Sequence, residues 1–379
     1  MSFPIHGTVA SGLDSVREVF QANFDDDIDV GAGFCVYYKG ECLVDLWGGY
    51  QDQAQTRPWE ENTLVNVYST TKGIASVVVA SVVQEGLLDY DAPVTDIWPE
   101  FRAAQNGLTI GQFLSHQSGV CGLRDTVTVA DLYDWQSMCT RLANEEPFWE
   151  PGKGAGYHAI LWGFFAGELV RRVTGKTLGE LLAIRFTRPL ECEFHIGLPV
   201  SEHNRVADLI GPNRARIQPE PIDFASIKVP ELYGVALQNP VIRPYKDVCS
   251  PQWRSAEVAA ANGHATAKGI ATIYDAVINH TSVLEQSTID QLVHEEWGDE
   301  EDLVLGKPMR RGRGINLNTD ETYGPGVNSF GHSGAGGSTG FADPDACLSF
   351  GYVMNQMQPG LETDTRSKRL IDAVYRAVS

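Results

Sequence analysis

Ser69-Thr70-Thr71-Lys72 places a hydroxyl three residues ahead of an amine, between a strand-like approach (Leu64, Val65, Val67) and a long apolar run, Ile74 to Val83, that reads as a helix. Residues three apart on a helix share a face with an axial offset of roughly 4.5 Å, so the Ser69 hydroxyl and the Lys72 amine can share a hydrogen bond. That pairing is a nucleophile beside its base. A lysine accepts a proton only when neutral, and burial beside the partially positive N-terminus of a helix lowers its pKa toward that state. The same spacing also describes a helix-start serine followed by a surface lysine. Of the chain's lysines, however, only Lys72 has a serine three positions earlier.

Two further segments carry groups that complete such a site. Pro151-Gly152-Lys153-Gly154-Ala155-Gly156-Tyr157-His158-Ala159 is a glycine-rich loop that delivers a tyrosine just before a helix. A phenol held near amines or a helix dipole can accept and donate a proton, although a packed loop aromatic is the competing reading of Tyr157. In Phe330-Gly331-His332-Ser333-Gly334-Ala335-Gly336-Gly337 the small residues let a strand edge approach a ligand, and backbone N–H groups there can bind an oxyanion.

The elements that must position these groups follow from periodicity and turn signals. Residues 33–38 and 42–47 read as strands around Lys39-Gly40, and residues 338–343 and 347–355 as strands around Pro344-Asp345. Helices are predicted over 74–84, 110–114, 130–142, 159–173, 178–185, 255–277 and 361–378. Strands from both chain ends closing one antiparallel sheet, with a helical body inserted between them, give an α+β, two-lobe architecture. One lobe comprises 1–90 and 260–379, the mainly helical lobe 91–259, and the cleft between them holds the site.

Together the three segments resemble the serine β-lactamase and penicillin-binding-protein superfamily, most closely its family VIII carboxylesterase branch, alongside the class C β-lactamases. The resemblance runs through Tyr68-Ser69-Thr70-Thr71-Lys72-Gly73, Leu114-Ser115-His116-Gln117-Ser118-Gly119, the 151–157 loop, Ala261-Asn262-Gly263-His264-Ala265-Thr266-Ala267 and His332-Ser333-Gly334. It implies Ser69 as nucleophile, Lys72 and Tyr157 as general-base pair, and the N–H groups of Ser69 and Ala335 as oxyanion hole. It also implies Ala159, His332, Ser333 and Gly334 as substrate-binding positions. Two of these depart from the β-lactamase pattern. Ala159 stands where those enzymes carry an asparagine for the β-lactam amide, and His332 where they carry the lysine of K-T-G. A lysine is a permanent cation for a substrate carboxylate, whereas histidine is mostly neutral near pH 7. The expectation is therefore a serine carboxylesterase working through an acyl-enzyme on a small neutral ester, with weak β-lactam cleavage at most. A β-lactamase or amidase, an acyltransferase, and a non-catalytic ligand-binding relative are the alternatives.

Competing motifs are weaker. Gly336-Gly337-Ser338-Thr339-Gly340 fits G-x-S-x-G, but that elbow needs a helix after it, and Phe341-Ala342-Asp343-Pro344-Asp345 reads as strand and turn. Asp25, Asp27 and Asp29 suggest a calcium loop, yet the glycine falls at Gly31 and no closing glutamate follows, so a solvated acidic stretch is expected. His294-Glu295-Glu296 lacks the second histidine of a zinc helix, and His116 reads as a satisfied structural histidine. No metal or nucleotide cofactor is implied.

Composition bounds the partners. The 379 residues, 43% hydrophobic and 21% charged, are ordinary globular values, and the formal charge of −20 opposes binding to nucleic acid or anionic membranes. No basic segment followed by an apolar one opens the chain, and no apolar run approaches spanning length, so a soluble cytoplasmic protein is expected. The seven scattered cysteines lack a C-x-x-C pair and are expected to be free and mostly buried.

Overall fold

The computed structural model describes residues 3–213, 229–279, 283–361 and 363–378. Its strands are, in chain order, β1 (Ile5–Val9), β2 (Gly31–Tyr38), β3 (Glu41–Gly49), β4 (Val65–Asn66), β5 (Phe194–His195), β6 (His264–Ala265), β7 (Trp297–Glu301), β8 (Pro308–Arg311), β9 (Asn316–Leu317), β10 (Phe330–Ser333), β11 (Thr339–Asp343) and β12 (Leu348–Met354). The helices used below are α1 (Asp14–Asp25), α2 (Thr70–Gln84), α3 (Trp162–Thr174), α4 (Ala267–Asn279) and α5 (Thr365–Val378).

Nine strands form one antiparallel sheet in the order β1-β3-β2-β12-β11-β10-β9-β8-β7. The chain ends meet at its centre, where β2 pairs with β12 from Ala32↔Met354 to Tyr38↔Leu348. This is the α+β architecture expected from the two terminal hairpins. Successive residues of a strand point to opposite faces, so β12 sends Ser349 to α4, with its Oγ donating to the Ala271 carbonyl at 2.9 Å. Its neighbour Phe350 goes to the other face, where its ring stacks 5.8 Å from Tyr375 of α5. Covered on both faces, β2 is buried from Gly31 to Val36, whereas the edge strand β1 alternates between half-buried and exposed residues.

Helix α2 carries the site and lies inside the molecule, with every residue from Thr70 to Val82 buried. Its run Val77-Val78-Val79 favours strands by intrinsic propensity. Burial on all sides decides the outcome, as expected for a helix that is apolar all round.

Three expectations need correction. Residues 255–277 do not form one helix: a short helix ends at Ser255, β6 pairs with β4 and β5, and α4 begins at Ala267. Asn262 breaks the run, because its Oδ1 accepts from the Val258 N–H at 2.9 Å and its Nδ2 donates to the Trp253 carbonyl at 2.9 Å. The predicted helix over 130–142 is a 3₁₀ turn followed by a helix at Trp135–Asn144, because the Asp134 side chain caps the Ser137 N–H at 3.0 Å. The acidic 25–29 stretch is not wholly solvated, since Asp29 is buried against Arg366 Nη1 at 2.8 Å and the Tyr352 hydroxyl at 2.6 Å. Residues 214–228 of the expected helical lobe lie outside the described residues. No described helix is long and apolar enough to cross a membrane.

Candidate active site

Ser69 sits at the N-terminus of α2, immediately after Tyr68, which takes the left-handed φ of +42°. A bulky residue there is strained, and such strain persists only where the surroundings impose it. Here Val67 N donates to the Gly263 carbonyl at 2.9 Å, and Thr71 Oγ1 accepts from Gly263 N at 2.9 Å. The 261–267 segment is thus a clamp on the turn that presents Ser69.

Lys72 is fully buried, and its Nζ lies 3.1 Å from Ser69 Oγ, 2.7 Å from the Ala159 carbonyl and 2.9 Å from the Ala260 carbonyl. Burial pushes its pKa well below the ordinary lysine value. A neutral amine has two N–H donors and one lone pair. Carbonyl oxygens only accept, so the two N–H bonds go to Ala159 and Ala260, and the lone pair is left for the Ser69 O–H. Ala159 therefore serves the site through its backbone oxygen.

Tyr157 is buried, with its hydroxyl 2.7 Å from Ser69 Oγ. Burial raises its pKa, against the opposing effects of the Ser69 hydrogen bond and the Arg311 guanidinium, so the phenol is neutral and donates. The resulting chain runs Tyr157 O–H to Ser69 Oγ and Ser69 O–H to Lys72 Nζ. The Ser115–Ser118 segment holds the tyrosine loop, since the carbonyls of Gln117 and His116 accept from Gly152 N at 3.0 Å and Gly156 N at 3.1 Å. His116 is a satisfied structural histidine, as expected, with Nδ1 accepting from His158 N at 3.0 Å and its ring 5.1 Å from that of Tyr157.

Beyond β10 the backbone closes on the turn that precedes α2. A Cβ on Gly334 would lie 2.2 Å from the Val67 carbonyl oxygen, so only glycine fits there. The N–H groups of Gly334, Gly336 and Gly337 are all used, by the carbonyls of Ser338, Gly360 and Gly334, while those of Ser69 and Ala335 donate to no acceptor among the described residues. N–H groups left free in this way can receive an oxyanion. Ser338 of the competing motif is buried, donates to the Val67 carbonyl at 2.8 Å and leads into β11 rather than a helix. It supports the turn and cannot attack a substrate.

His332 Nδ1 lies 2.7 Å from the Ser333 carbonyl, which can only accept, so Nδ1 carries the proton and Nε2 is a bare lone pair. Burial lowers the pKa to about 3. His332, Ser333 and Tyr157 line a cavity of about 250 Å³ whose other walls include Tyr233, Leu305, Met309 and Leu317. Lys307 and Asp320 also line it; sequence reasoning missed both, because neither lies in a motif.

The sequence pattern of the family described as Beta-lactamase matches residues 20–374. The chain belongs to the beta-lactamase family. Among solved structures of this family's fold, it is similar to one titled "Crystal structure of a family VIII carboxylesterase", with 43% identity and a TM-score of 0.91 over 99% of this chain and 100% of that one. It is also similar to a penicillin-binding protein homologue from Caulobacter crescentus, with 37% identity and a TM-score of 0.87 over 99% and 100%. Among curated beta-lactamase-family relatives, the esterase/beta-lactamase LipL of Mycobacterium tuberculosis is 32% identical over 355 residues, 88% of this chain and 79% of that one.

Proposed function

We propose that this protein is a serine carboxylesterase that cleaves small neutral esters through an acyl-enzyme on Ser69. The observation that carries the reading is the hydrogen-bond chain from Tyr157 through Ser69 to Lys72, with burial lowering the lysine pKa and raising that of the tyrosine, so that both shifts favour the neutral forms. Ser69 Oγ attacks the acyl carbonyl as its proton passes to the Lys72 lone pair, and the N–H groups of Ser69 and Ala335 receive the oxyanion. Collapse of the tetrahedral intermediate releases the alkoxide, which takes a proton relayed by Tyr157. Water then attacks the acyl-Ser69 ester by the same route and restores the free serine. Relatives named as esterases support the ester as substrate class.

Two lobes, 1–90 with 260–379 and 91–259, suit this chemistry, since Ser69 and His332 come from the first and Tyr157 and Ala159 from the second. The neutral His332 and the alkyl side chain of Ala159 suit neutral esters better than carboxylate-bearing β-lactams. Free thiols at all seven cysteines suit a reducing, cytoplasmic compartment. The test is a pre-steady-state assay with p-nitrophenyl esters of increasing chain length beside a chromogenic cephalosporin. A stoichiometric nitrophenol burst with an acyl adduct on Ser69 is expected. No burst would favour the non-catalytic binder, and cephalosporin turnover as fast as that of the best ester would favour the β-lactamase.

A further inference from the structure

Asp302 is buried at the start of the loop between β7 and β8, and one of its carboxylate oxygens gathers three backbone donors. Oδ1 accepts from Tyr157 N at 3.2 Å, Val304 N at 2.8 Å and Leu305 N at 2.7 Å. The other oxygen pairs with the guanidinium of Arg311 on β8, itself 1% exposed. A backbone bond from Leu303 N to the Ala155 carbonyl, 2.9 Å, ties the same two segments a second time. One atom therefore fixes both the peptide that carries the proposed proton relay and the wall residue Leu305 of the cavity.

We propose that Asp302 is a positioning residue that sets the Tyr157 hydroxyl against Ser69 and couples it to the cavity wall at 303–305. This rests on the esterase reading for its catalytic consequence, though not for the anchor itself. A substrate group pressing on Leu305 acts on the oxygen that holds Tyr157 N, so the fit of the acyl or alcohol group is read in kcat rather than in KM alone. A displacement near 1 Å at a reacting group costs about 10²-fold in rate. The pair also explains why a full charge is buried here. Arg311 Nε and Nη1 have no hydrogen-bond partner, so Asp302 supplies its compensation, and removing the carboxylate alone would strand a buried cation.

The experiment therefore neutralises Arg311 first. Asp302→Asn/Arg311→Gln keeps an acceptor oxygen at position 302 and lets the two amides bond each other, whereas Asp302→Ala/Arg311→Gln removes that oxygen and leaves no unpaired charge. Hydrogen exchange read on peptides covering 150–160 and 300–308 reports the anchor without any substrate. Ester kinetics report its consequence. The Asn/Gln protein should keep protection in both peptides and kcat within a few-fold of wild type. The Ala/Gln protein should lose protection in those two peptides alone, and lose about 10²-fold in kcat with KM little changed. The dependence of kcat on ester chain length should flatten with it. Equal kinetics and exchange in the two variants would overturn the proposal, as would loss of protection throughout the chain in both. If wild type shows no ester turnover, the esterase reading fails, and the exchange comparison still decides the anchor.

Discussion

Replacing Lys72 by methionine separates what the amine does for chemistry from what it costs the fold. Methionine fills a similar volume without a charge, but it leaves the Ala159 and Ala260 carbonyls without their donor. Each unsatisfied buried acceptor costs about 1–3 kcal/mol, independent of pH. The second effect has the opposite sign and depends on pH. The native pKa of Lys72 lies well below its unfolded value of about 10.4, so between the two the unfolded chain binds one more proton than the native protein. Wild-type stability therefore falls as pH falls through this window, by about 1.4 kcal/mol per pH unit, and the variant lacks that slope. Urea unfolding of both proteins between about pH 7.5 and 9.5, where ordinary histidines are already neutral, should show the methionine variant gaining on wild type by that amount per unit as pH decreases. Its esterase activity should drop about 10²- to 10⁴-fold. A stability difference that stays constant across the window would mean that native Lys72 is protonated, and the general-base role would fall with it.

The other substitutions test single atoms of the same chain. Ser69→Ala should abolish turnover with folding intact, and a fluorophosphonate adduct seen by intact-mass spectrometry on wild type should be absent from the variant; a label on Ser338 would refute the assignment. Tyr157→Phe removes the 2.7 Å donor to Ser69 Oγ and should lower kcat by about 10²-fold or more with little change in KM. A KM effect alone would make Tyr157 a packing residue. His332→Lys supplies the cation absent at that position and should improve kcat/KM for carboxylate-bearing esters by a charge-assisted hydrogen bond of about 1.5–3 kcal/mol at most. No change in the ratio of anionic to neutral ester turnover would show that another group, such as Lys307, already meets the anion.

The sheet was legible where its strands are long, apolar and separated by recognisable turns. Gly40 takes a positive φ that glycine adopts without strain and Pro344 fixes its own φ, so both turns are readable, whereas the positive φ of Lys39 is not advertised by its residue type. β4 falls within the strand-like approach read at Leu64, Val65 and Val67, but the short strands β5 and β6 were not legible, since two residues carry no periodicity and their pairing is a purely tertiary fact. Helix α1 carries only the sparse periodic signal Val16, Phe20, Phe24 amid polar residues, too thin to stand out in the sequence. The break at Asn262 is different in kind. The alanines between Ala256 and Ala267 favour a helix, and the competition of the Asn262 side chain for backbone groups, with Gly263 and the pairing of β6 behind it, stops one from forming.

For the site, sequence reading finds groups that react and misses groups that hold. Ser69, Lys72 and Tyr157 stand out because their chemistry requires particular side chains at particular spacings. The Ala159 and Ala260 carbonyls that use both N–H bonds of the amine are backbone atoms, which no residue type advertises, and Asp302 lies in no motif although it touches the Tyr157 peptide directly. Yet the held geometry turns a serine near a lysine into a candidate nucleophile. Burial favours the neutral form of Lys72, but a neutral amine free to rotate offers its lone pair in any direction. Two carbonyls fixed at 2.7 and 2.9 Å take both donors and leave the third position facing Ser69 Oγ. The basicity of the site is thus set by the interior and its direction by the backbone, and a substitution that shifts either carbonyl should cost activity without touching a reacting side chain.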